Sequence, residues 1–242
     1  MKWTHDAIVL RPSPFQEGGL VVSFLSSDGE RLAGLARGAK KPSAKWVAAF
    51  EPMSLVRVEF FGKEHLDVRR ITRCDLQHSP MTLGHLDSSL AISCIADLLD
   101  RVAKEGLEDP RLFRLALSCS RVLKAQPDRA MSVLAYAEHW LLHCLGLLPR
   151  PIACGRCGNA HSPFAGLGEH GWHCIDCLPA PPGGPLPPGA KEYLQKLRGA
   201  KAEDMPDAYE TPASRAITML LRAKLLEELG PLKSYEVLAA AL

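Results

Sequence analysis

Short apolar runs separated by turn residues make up the first third of the chain. Five of these runs are rich in β-branched and aliphatic residues and predict strands at residues 7–10, 20–25, 32–36, 55–61 and 65–71. Between the second and third runs, residues 27–30 carry a hairpin-turn signal in which Gly29 can supply the positive φ. Five short strands within about eighty residues predict a small β-barrel.

A helical period replaces the strand pattern after Met81. Apolar residues then recur every four positions, at Leu86, Leu90, Cys94, Leu98 and Val102. This spacing predicts a helix with one face in a core. Capping signals at Asp109-Pro110 and Pro127-Asp128 predict two more helices.

Two further helices are predicted to close the chain and to pack on the central ones. The first covers residues 190–197, and the second runs from Thr211-Pro212 to Gly230, where glycine ends it. Residues 179–189 are rich in proline and glycine and predict a connector without regular structure. The predicted organisation is a barrel at 1–80, a helical domain at 81–150, a cysteine module at 151–178, the connector at 179–189 and the rest of the helical domain at 190–242.

Two CxxC pairs carry the clearest chemical signal in the sequence. The first pair is Cys154 and Cys157, and the second is Cys174 and Cys177. Two residues separate the cysteines within each pair, and sixteen residues lie between the pairs. This spacing is typical of a zinc site, in which two tight turns at the ends of a short hairpin bring four thiolates together. A closed four-sulfur shell leaves no position for water, so we predict one structural zinc ion in a module too small for its own hydrophobic core.

Other cysteines and histidines have simpler interpretations. Cys74, Cys94, Cys119 and Cys144 lie at apolar positions, so we interpret them as buried small residues. His161, His170 and His173 lie between or beside the CxxC pairs and are interpreted as solvated loop residues, with His173 the best substitute ligand. His139 and His143 stand one helical turn apart, but the H-E-x-x-H motif is absent and a polar helix edge is favoured.

The charge of the chain is unevenly distributed. The formal net charge is +2, yet residues 31–73 hold ten Lys or Arg against four Asp or Glu, a local net charge of +6. Such asymmetry favours a nucleic acid or another polyanion as a partner. Residues 37–45 lack periodicity and are expected to form an exposed basic loop. The chain also lacks an apolar signal core and any apolar run of transmembrane length, which predicts a cytoplasmic protein.

Four segments, taken in order, resemble one family. They are residues 6–11 with 18–20, the glycine-centred basic residues 36–42, the helix 136–149 that leads into the first cysteine pair, and residues 221–234 with their Lys-Ser ending. Together these segments resemble the bacterial RecO family of recombination mediators. The resemblance covers nearly the whole chain.

The resemblance implies an α+β protein with an N-terminal five-stranded OB-fold barrel and a helical domain that carries an inserted four-cysteine zinc module. It implies binding of single- and double-stranded DNA, annealing of complementary strands, and no enzymatic activity. It further implies cooperation with RecR and with single-stranded-DNA-binding protein, indirect action on RecA, a nucleoid-associated location, and neither membrane nor small-molecule substrate.

An OB barrel binds single strands through a groove of cationic and aromatic side chains. The candidate DNA contacts in this chain are Arg37, Lys40, Lys41, Lys45, Trp46, Arg57, Lys63, Arg69, Arg70 and Arg73. Phe60 and Phe61 are adjacent in a predicted strand, so only one of them can face the groove. For Trp46, stacking on a base and packing under the loop are both open.

Three alternatives remain at the level of sequence. An RNA-binding protein with an OB-fold and a zinc ribbon would share the charge, the barrel and the cysteines, and its preference for RNA would distinguish it. A protein adaptor with incidental DNA contact is the second. The third, a zinc hydrolase, is disfavoured because the cysteine set is closed and no defensible Ser/His/Asp or paired-carboxylate arrangement is present.

Overall fold

The computed structural model of the protein describes residues 2–16, 18–39, 46, 48–62, 68–168, 170–178 and 185–241. The described chain begins with five strands: β1 (Lys2–Phe15), β2 (Gly19–Ser26), β3 (Arg31–Ala36), β4 (Leu55–Phe61) and β5 (Arg69–His78). They close into a barrel in the order β1-β2-β3-β5-β4. The predicted five-stranded barrel is therefore confirmed.

Strand β1 is long enough to pair on both sides of the barrel. Lys2 to Ile8 pair antiparallel with β4, and Ala7 to Phe15 pair antiparallel with β2, with an irregularity between Val9 and Arg11. The barrel closes through a short parallel seam between β3 and β5, where Gly34 pairs with Arg69 and Leu35 with Arg70. Inside, the alternating apolar positions of all five strands form one core.

The fifth strand differs from its prediction. It runs to His78, seven residues beyond the predicted end, and residues 65–67 of the predicted run lie outside the described part of the chain. The extension was not recognised because its outward positions are polar, as at Thr72 and Arg73, while Ile71 and Cys74 face inward. The hairpin turn after β2 is confirmed, with Gly29 at a φ of 86°.

Six helices follow in the described residues, together with a two-stranded hairpin. They are α1 (Leu86–Val102), α2 (Pro110–Ala125), α3 (Ala130–Cys144), the hairpin strands β6 (Phe164–Gly168) and β7 (Gly171–Cys174), α4 (Ala190–Gly199), α5 (Pro212–Leu229) and α6 (Lys233–Ala241). By its contacts the chain divides into two compact units, one comprising Met1–Ala130 with Leu229–Leu242 and the other Met131–Glu228. The fold is α+β, as predicted.

In the first unit, helices α1 and α2 pack against the barrel strands β1 and β2. Asp100 of α1 is buried and accepts a 2.6 Å hydrogen bond from Ser23 of β2, while its second oxygen lies 2.6 Å from the Arg11 guanidinium. Asp109 caps α2 as predicted, because its side chain accepts from the backbone N–H of Arg111. These polar contacts fix the helices on the outside of the barrel.

The prediction that two helices close the chain is wrong, because a third helix, α6, follows α4 and α5. The predicted stop at Gly230 is present, with a φ of 78°, but a further helix begins three residues later. Nine residues are too short for a convincing apolar period. The helix packs on α1, where Asp97 accepts a 3.4 Å hydrogen bond from the backbone N–H of Ser234, and it buries Tyr235 and Leu238.

The second unit contains α3, the cysteine module, α4 and α5. Helix α3 is apolar on nearly every side and is buried from Ser132 to His139. His139 therefore does not lie on a polar helix edge, contrary to the prediction. Its burial lowers the pKa of the imidazole to about 4, and the neighbouring His143 adds to this effect.

Three of the four cysteines outside the CxxC pairs are buried as predicted. These are Cys74, Cys94 and Cys119, whereas Cys144 is only half-buried. Within the part of the chain that is described, no helix combines the length and apolar character needed to cross a membrane.

Candidate metal centre and nucleic-acid surface

The four cysteines of the CxxC pairs lie together in the module. All four sulfur atoms are within 4.8 Å of one another, and the Sγ atoms of Cys157 and Cys174 are 3.7 Å apart. Four thiolates around one metal at about 2.3 Å would place their sulfurs roughly 3.8 Å apart. The donor set therefore fits a four-coordinate metal site.

Each cysteine pair sits on a backbone turn of the same kind. The carbonyl of Cys154 accepts from the N–H of Gly158 at 2.9 Å, and the carbonyl of Cys174 accepts from the N–H of Leu178 at 3.1 Å. Gly155 in the first turn lies so close to β7 that an added Cβ would come within 1.9 Å of the His170 carbonyl oxygen. Only glycine fits there, and its N–H donates to the Trp172 carbonyl at 2.7 Å.

An aromatic pair provides the small core of the module. The rings of Phe164 and Trp172 stack with centroids 5.5 Å apart, and Trp172 donates its indole N–H to the carbonyl of Pro149. Lys191 of α4 places its ammonium group 5.3 Å from the centre of the Phe164 ring and donates to the Ala160 carbonyl. The module is thereby attached to α4 by one amphipathic side chain.

The electrostatics of the thiols favour a bound cation. Backbone N–H groups, that of Cys157 first, lower the pKa of Cys154. The pKa of Cys177 is raised, chiefly by its hydrogen bond with Cys157. Four thiolates at these distances repel one another, so full ionisation of the cluster requires a positive charge among them.

The histidines of the module divide into two kinds. His161 and His170 are exposed, in agreement with the prediction. His173 is buried in β7, so its interpretation as a solvated loop residue is wrong. Its ring lies beside Gly168, where an added Cβ would be 2.9 Å from the imidazole. Among the described residues, the group that can hold a metal consists of the four cysteines alone.

Of the predicted DNA contacts, Lys40, Lys41, Lys45 and Lys63 lie outside the described residues. Two of the described arginines are engaged in ion pairs on the outer face of the barrel. Arg57 holds both carboxylate oxygens of Asp6, at 2.8 and 3.1 Å, and lowers the pKa of that carboxyl. Arg73 lies 2.7 Å from Asp75. These two cations are locally neutralised.

Arg37 and Arg70 differ from these two. Both are exposed, and neither forms an ion pair with another described residue. Arg69 is half-buried, and its Nε and Nη1 atoms are shielded from solvent. The free positive charge of the described barrel surface thus lies at Arg37 and Arg70, and Arg37 is close in sequence to Lys40, Lys41 and Lys45.

Trp46 packs on the barrel core. Its ring meets that of Phe50 edge to face at 5.9 Å, and its backbone carbonyl accepts from Ala49 and Phe50. Trp46 could have packed under the loop or stacked on a base, and in the structure it packs against Phe50. Stacking of Trp46 on DNA stays a prediction.

Comparison with known proteins identifies the family. The sequence profile described as Recombination protein O N terminal matches residues 1–80, and that described as Recombination protein O C terminal matches residues 83–236. The chain belongs to the RecO family. Membership indicates a role in DNA repair and recombination, and the N-terminal barrel is OB-like.

Curated relatives named DNA repair protein RecO agree with this assignment. One from Anaeromyxobacter sp. (strain K) is 28% identical over 92% of this chain and 90% of its own length. One from Cutibacterium acnes is 29% identical over 84% of this chain and 83% of its own. One from Koribacter versatilis is 30% identical, but the match spans 64% of this chain and 63% of that protein.

The first unit also contains a cavity that the sequence did not predict. It measures about 860 Å³ and lies where α1 and α6 meet the barrel. Its apolar wall includes Leu90, Leu232 and Val237, and its cationic side chains are Arg11, Arg31, Arg101, Lys104 and Lys233. No sequence signal could have located it, because its walls come from four separate segments and α6 itself was not predicted.

Proposed function

We propose that the protein is a recombination mediator that binds single- and double-stranded DNA and anneals complementary strands. With RecR, it helps RecA load onto DNA that is covered by single-stranded-DNA-binding protein. It performs these tasks by binding alone and is not an enzyme. Two findings support this proposal: membership of the RecO family, and an OB-like barrel whose exposed Arg37 and Arg70 form no ion pair with a described residue.

The observation that carries the proposal is the distribution of charge on the barrel. Arg37 and Arg70 are exposed and unpaired with any described residue, whereas Arg57 and Arg73 are held by carboxylates. Phosphate contacts release counterions and give binding that does not depend on base sequence. A cationic surface that holds two strands lowers their mutual repulsion and leaves the base edges free to pair. Annealing therefore needs no catalytic residue.

We further propose that the four cysteines hold one structural zinc ion. When bound, zinc would tie the two cysteine turns to each other and neutralise their thiolates. The chain itself supplies the remaining order of the module, through the Phe164–Trp172 stack and the contacts of Lys191. A closed set of four thiolates leaves no open coordination position, in keeping with a structural role.

The cavity between α1, α6 and the barrel is the proposed site for the tail of single-stranded-DNA-binding protein. A tail with acidic and apolar residues requires apolar surface beside positive charge. The cavity offers both, since Leu232 and Val237 lie among five lysines and arginines, which outnumber the carboxylates of Asp97, Asp100 and Glu236. Asp100 holds Arg11 at 2.6 Å and lies 3.8 Å from Arg31, so Arg101, Lys104 and Lys233 are the lining cations without an ion pair to a described residue.

Paired removal of positive charge tests the DNA-binding surface. In the variant Arg37→Gln with Arg70→Gln, binding to a fluorescent single-stranded oligonucleotide and the rate of annealing should both fall at least tenfold at low salt, because two phosphate contacts are lost. Arg57→Gln with Arg73→Gln is the matched control and should retain binding within about threefold, since these arginines are already neutralised. Failure of the unaltered protein to bind DNA at low salt would overturn the proposal, and equal losses in both variants would overturn the assignment of the surface.

A further inference from the structure

One row of side chains crosses the outer face of the barrel at the end where β4 stops. Phe61 of β4 lies opposite Lys2 of β1 on one side and opposite Arg70 of β5 on the other. Arg70 in turn pairs across the seam with Leu35 of β3, which pairs with Val21 of β2. The row therefore has an aromatic ring between two cations, followed by two aliphatic side chains.

The two adjacent phenylalanines of β4 have opposite environments. Phe60 is fully buried and meets Phe24 edge to face at 5.9 Å in the barrel core. Phe61 points outward, and 48% of its surface is exposed. Because alternate residues of a strand face opposite sides, the core requirement for Phe60 forces Phe61 into solvent. The exposed half of this ring is free to stack on the flat apolar face of a ligand.

The charges beside Phe61 indicate the chemistry of that partner. Arg70 forms no ion pair with any described residue, and Lys2 is held only by an exposed contact to Glu59 at 2.9 Å. Lys2 holds Glu59 through a single ammonium contact, whereas Arg57 holds both carboxylate oxygens of Asp6, so Lys2 is the easier of the two to draw to a different anion. Neighbouring strands are about 4.8 Å apart, so the two cations flank the ring at one strand spacing on either side. A ligand with a flat apolar ring and an anionic backbone fits this row.

We infer that Phe61 is the base-stacking residue of this barrel and that Arg70 and Lys2 contact the phosphates that flank the stacked base. This inference rests on the proposed binding of single-stranded DNA and assigns its specificity for single strands to one side chain. A base that is paired within a duplex has its face covered by its neighbours and is not available to Phe61. Phe61 thus favours single strands, whereas cationic contacts to phosphate serve both forms of DNA.

The other aromatic residues of the barrel fit this role less well: Trp3 pairs with Phe60 and therefore lies on the same, inward side of the sheet. Trp46 packs edge to face on Phe50, and His5 lies beside Phe60 with ring centres 6.1 Å apart. Phe15 is exposed to 39%, but it pairs with Gly19 and has no cation opposite it. Phe15 therefore provides a matched control, because it is the same kind of side chain on the same barrel.

The test compares Phe61→Leu, Phe61→Trp and Phe15→Leu with the unaltered full-length protein. Binding to a fluorescent single-stranded oligonucleotide and to a duplex is measured across a range of salt concentrations. Phe61→Leu should weaken single-strand binding roughly tenfold with little effect on duplex binding, since one stacked base is lost. Phe61→Trp should restore it, and Phe15→Leu should leave it unchanged. Thermal unfolding should be the same for all variants, since both positions are exposed.

The salt dependence separates stacking from charge. Phe61→Leu should lower affinity by the same factor at every salt concentration, whereas Arg70→Gln should reduce the slope of log affinity against log salt by about 0.7. In addition, irradiation of a complex with 5-iodouracil DNA should attach the base to the peptide that contains Phe61.

Each result has a definite meaning. Single-strand affinity in Phe61→Leu equal to that of the unaltered protein, or an equal loss in Phe15→Leu, would overturn the stacking inference while leaving the proposed function intact. If the unaltered protein bound no single-stranded DNA at low salt, the proposed function and the stacking inference would both fail.

Discussion

Glu138 of α3 is completely buried, and its Oε1 accepts a 2.7 Å hydrogen bond from the Nε of Arg222 in α5. A second guanidinium nitrogen of Arg222 lies 3.4 Å from the hydroxyl of Tyr209. Close by, Ser132 accepts a 3.1 Å hydrogen bond from the backbone N–H of Ala208. A polar network thus joins α3, α5 and the segment that precedes α5.

Removal of one partner of this buried pair should be strongly destabilising. We expect Arg222→Met to lower the free energy of unfolding by about 3 kcal/mol, because Glu138 would be left charged and buried without its cation. The double variant Glu138→Leu with Arg222→Met should recover part of the loss, since no charge then remains in the core. Urea unfolding of both variants would check this, and a double variant no more stable than Arg222→Met would contradict it.

His139 should make stability depend on pH. Its pKa is lowered to about 4 by burial, while the unfolded chain has the ordinary value near 6.5. The unfolded state therefore binds the proton more tightly than the folded state does. The stability that the neutral imidazole gives to the folded protein is fully present above pH 6.5 and is lost as the pH falls towards 4. Between pH 7.5 and 5 the loss should be about 2 kcal/mol.

The variant His139→Leu isolates this effect. Acid also weakens metal binding by the cysteine module, but it does so in both proteins, so the difference between the two urea unfolding curves reports His139. We expect the unaltered protein to lose more stability than His139→Leu on acidification. Parallel pH dependence in the two proteins would show that the imidazole is not responsible.

The cysteine module should bind one zinc ion per chain. Cys174→Ser removes a buried ligand and should abolish stoichiometric metal in elemental analysis of the purified protein. Cys144→Ala, which lies outside the cluster, should keep it. Loss of zinc should also change the fluorescence of Trp172, because the stack on Phe164 depends on the order of the hairpin. Full metal content in Cys174→Ser would refute the site.

Gly34 closes the barrel at its shortest seam. A Cβ at this position would lie 2.6 Å from Ile71 and 2.7 Å from Phe60 inside the core. We expect Gly34→Ala to cost about 1–3 kcal/mol in urea unfolding through overpacking. Gly199→Ala provides a control, because nothing lies within 4 Å of its Cβ and the change should be nearly neutral. If both variants unfolded at the same urea concentration, the packing argument would be wrong.

The cavity beside α6 should bind an acidic peptide with an apolar end. A fluorescent peptide of this composition should bind the unaltered protein in a salt-sensitive manner. Val237→Glu places a negative charge on the apolar wall and should weaken binding at least tenfold, while Arg215→Glu on the other unit should not affect it. Unchanged binding in Val237→Glu would exclude this cavity.

Local patterns predicted much of the fold because they reflect local physics. The period of apolar residues located the strands of the barrel and five helices, and Asp109 and Gly230 marked helix ends through capping chemistry. The cysteine spacing predicted the metal module, since two short turns can present four sulfurs to one point without help from distant residues. By contrast, α6 and the end of β5 were missed because short or half-polar elements carry too weak a period.

The sequence by itself therefore determined the order of the elements, the basic character of the barrel and the identity of the four metal-binding candidates. Only the tertiary structure decided which charges are free. Asp6 and Asp75 neutralise Arg57 and Arg73, and the Asp6 contact comes from a strand about fifty residues away. It also decided that Phe61 rather than Phe60 faces solvent and that His139 is buried. Apart from the Arg73–Asp75 pair, whose residues are two positions apart in β5, these outcomes depend on strand register and helix packing, which bring together residues that are far apart in the chain.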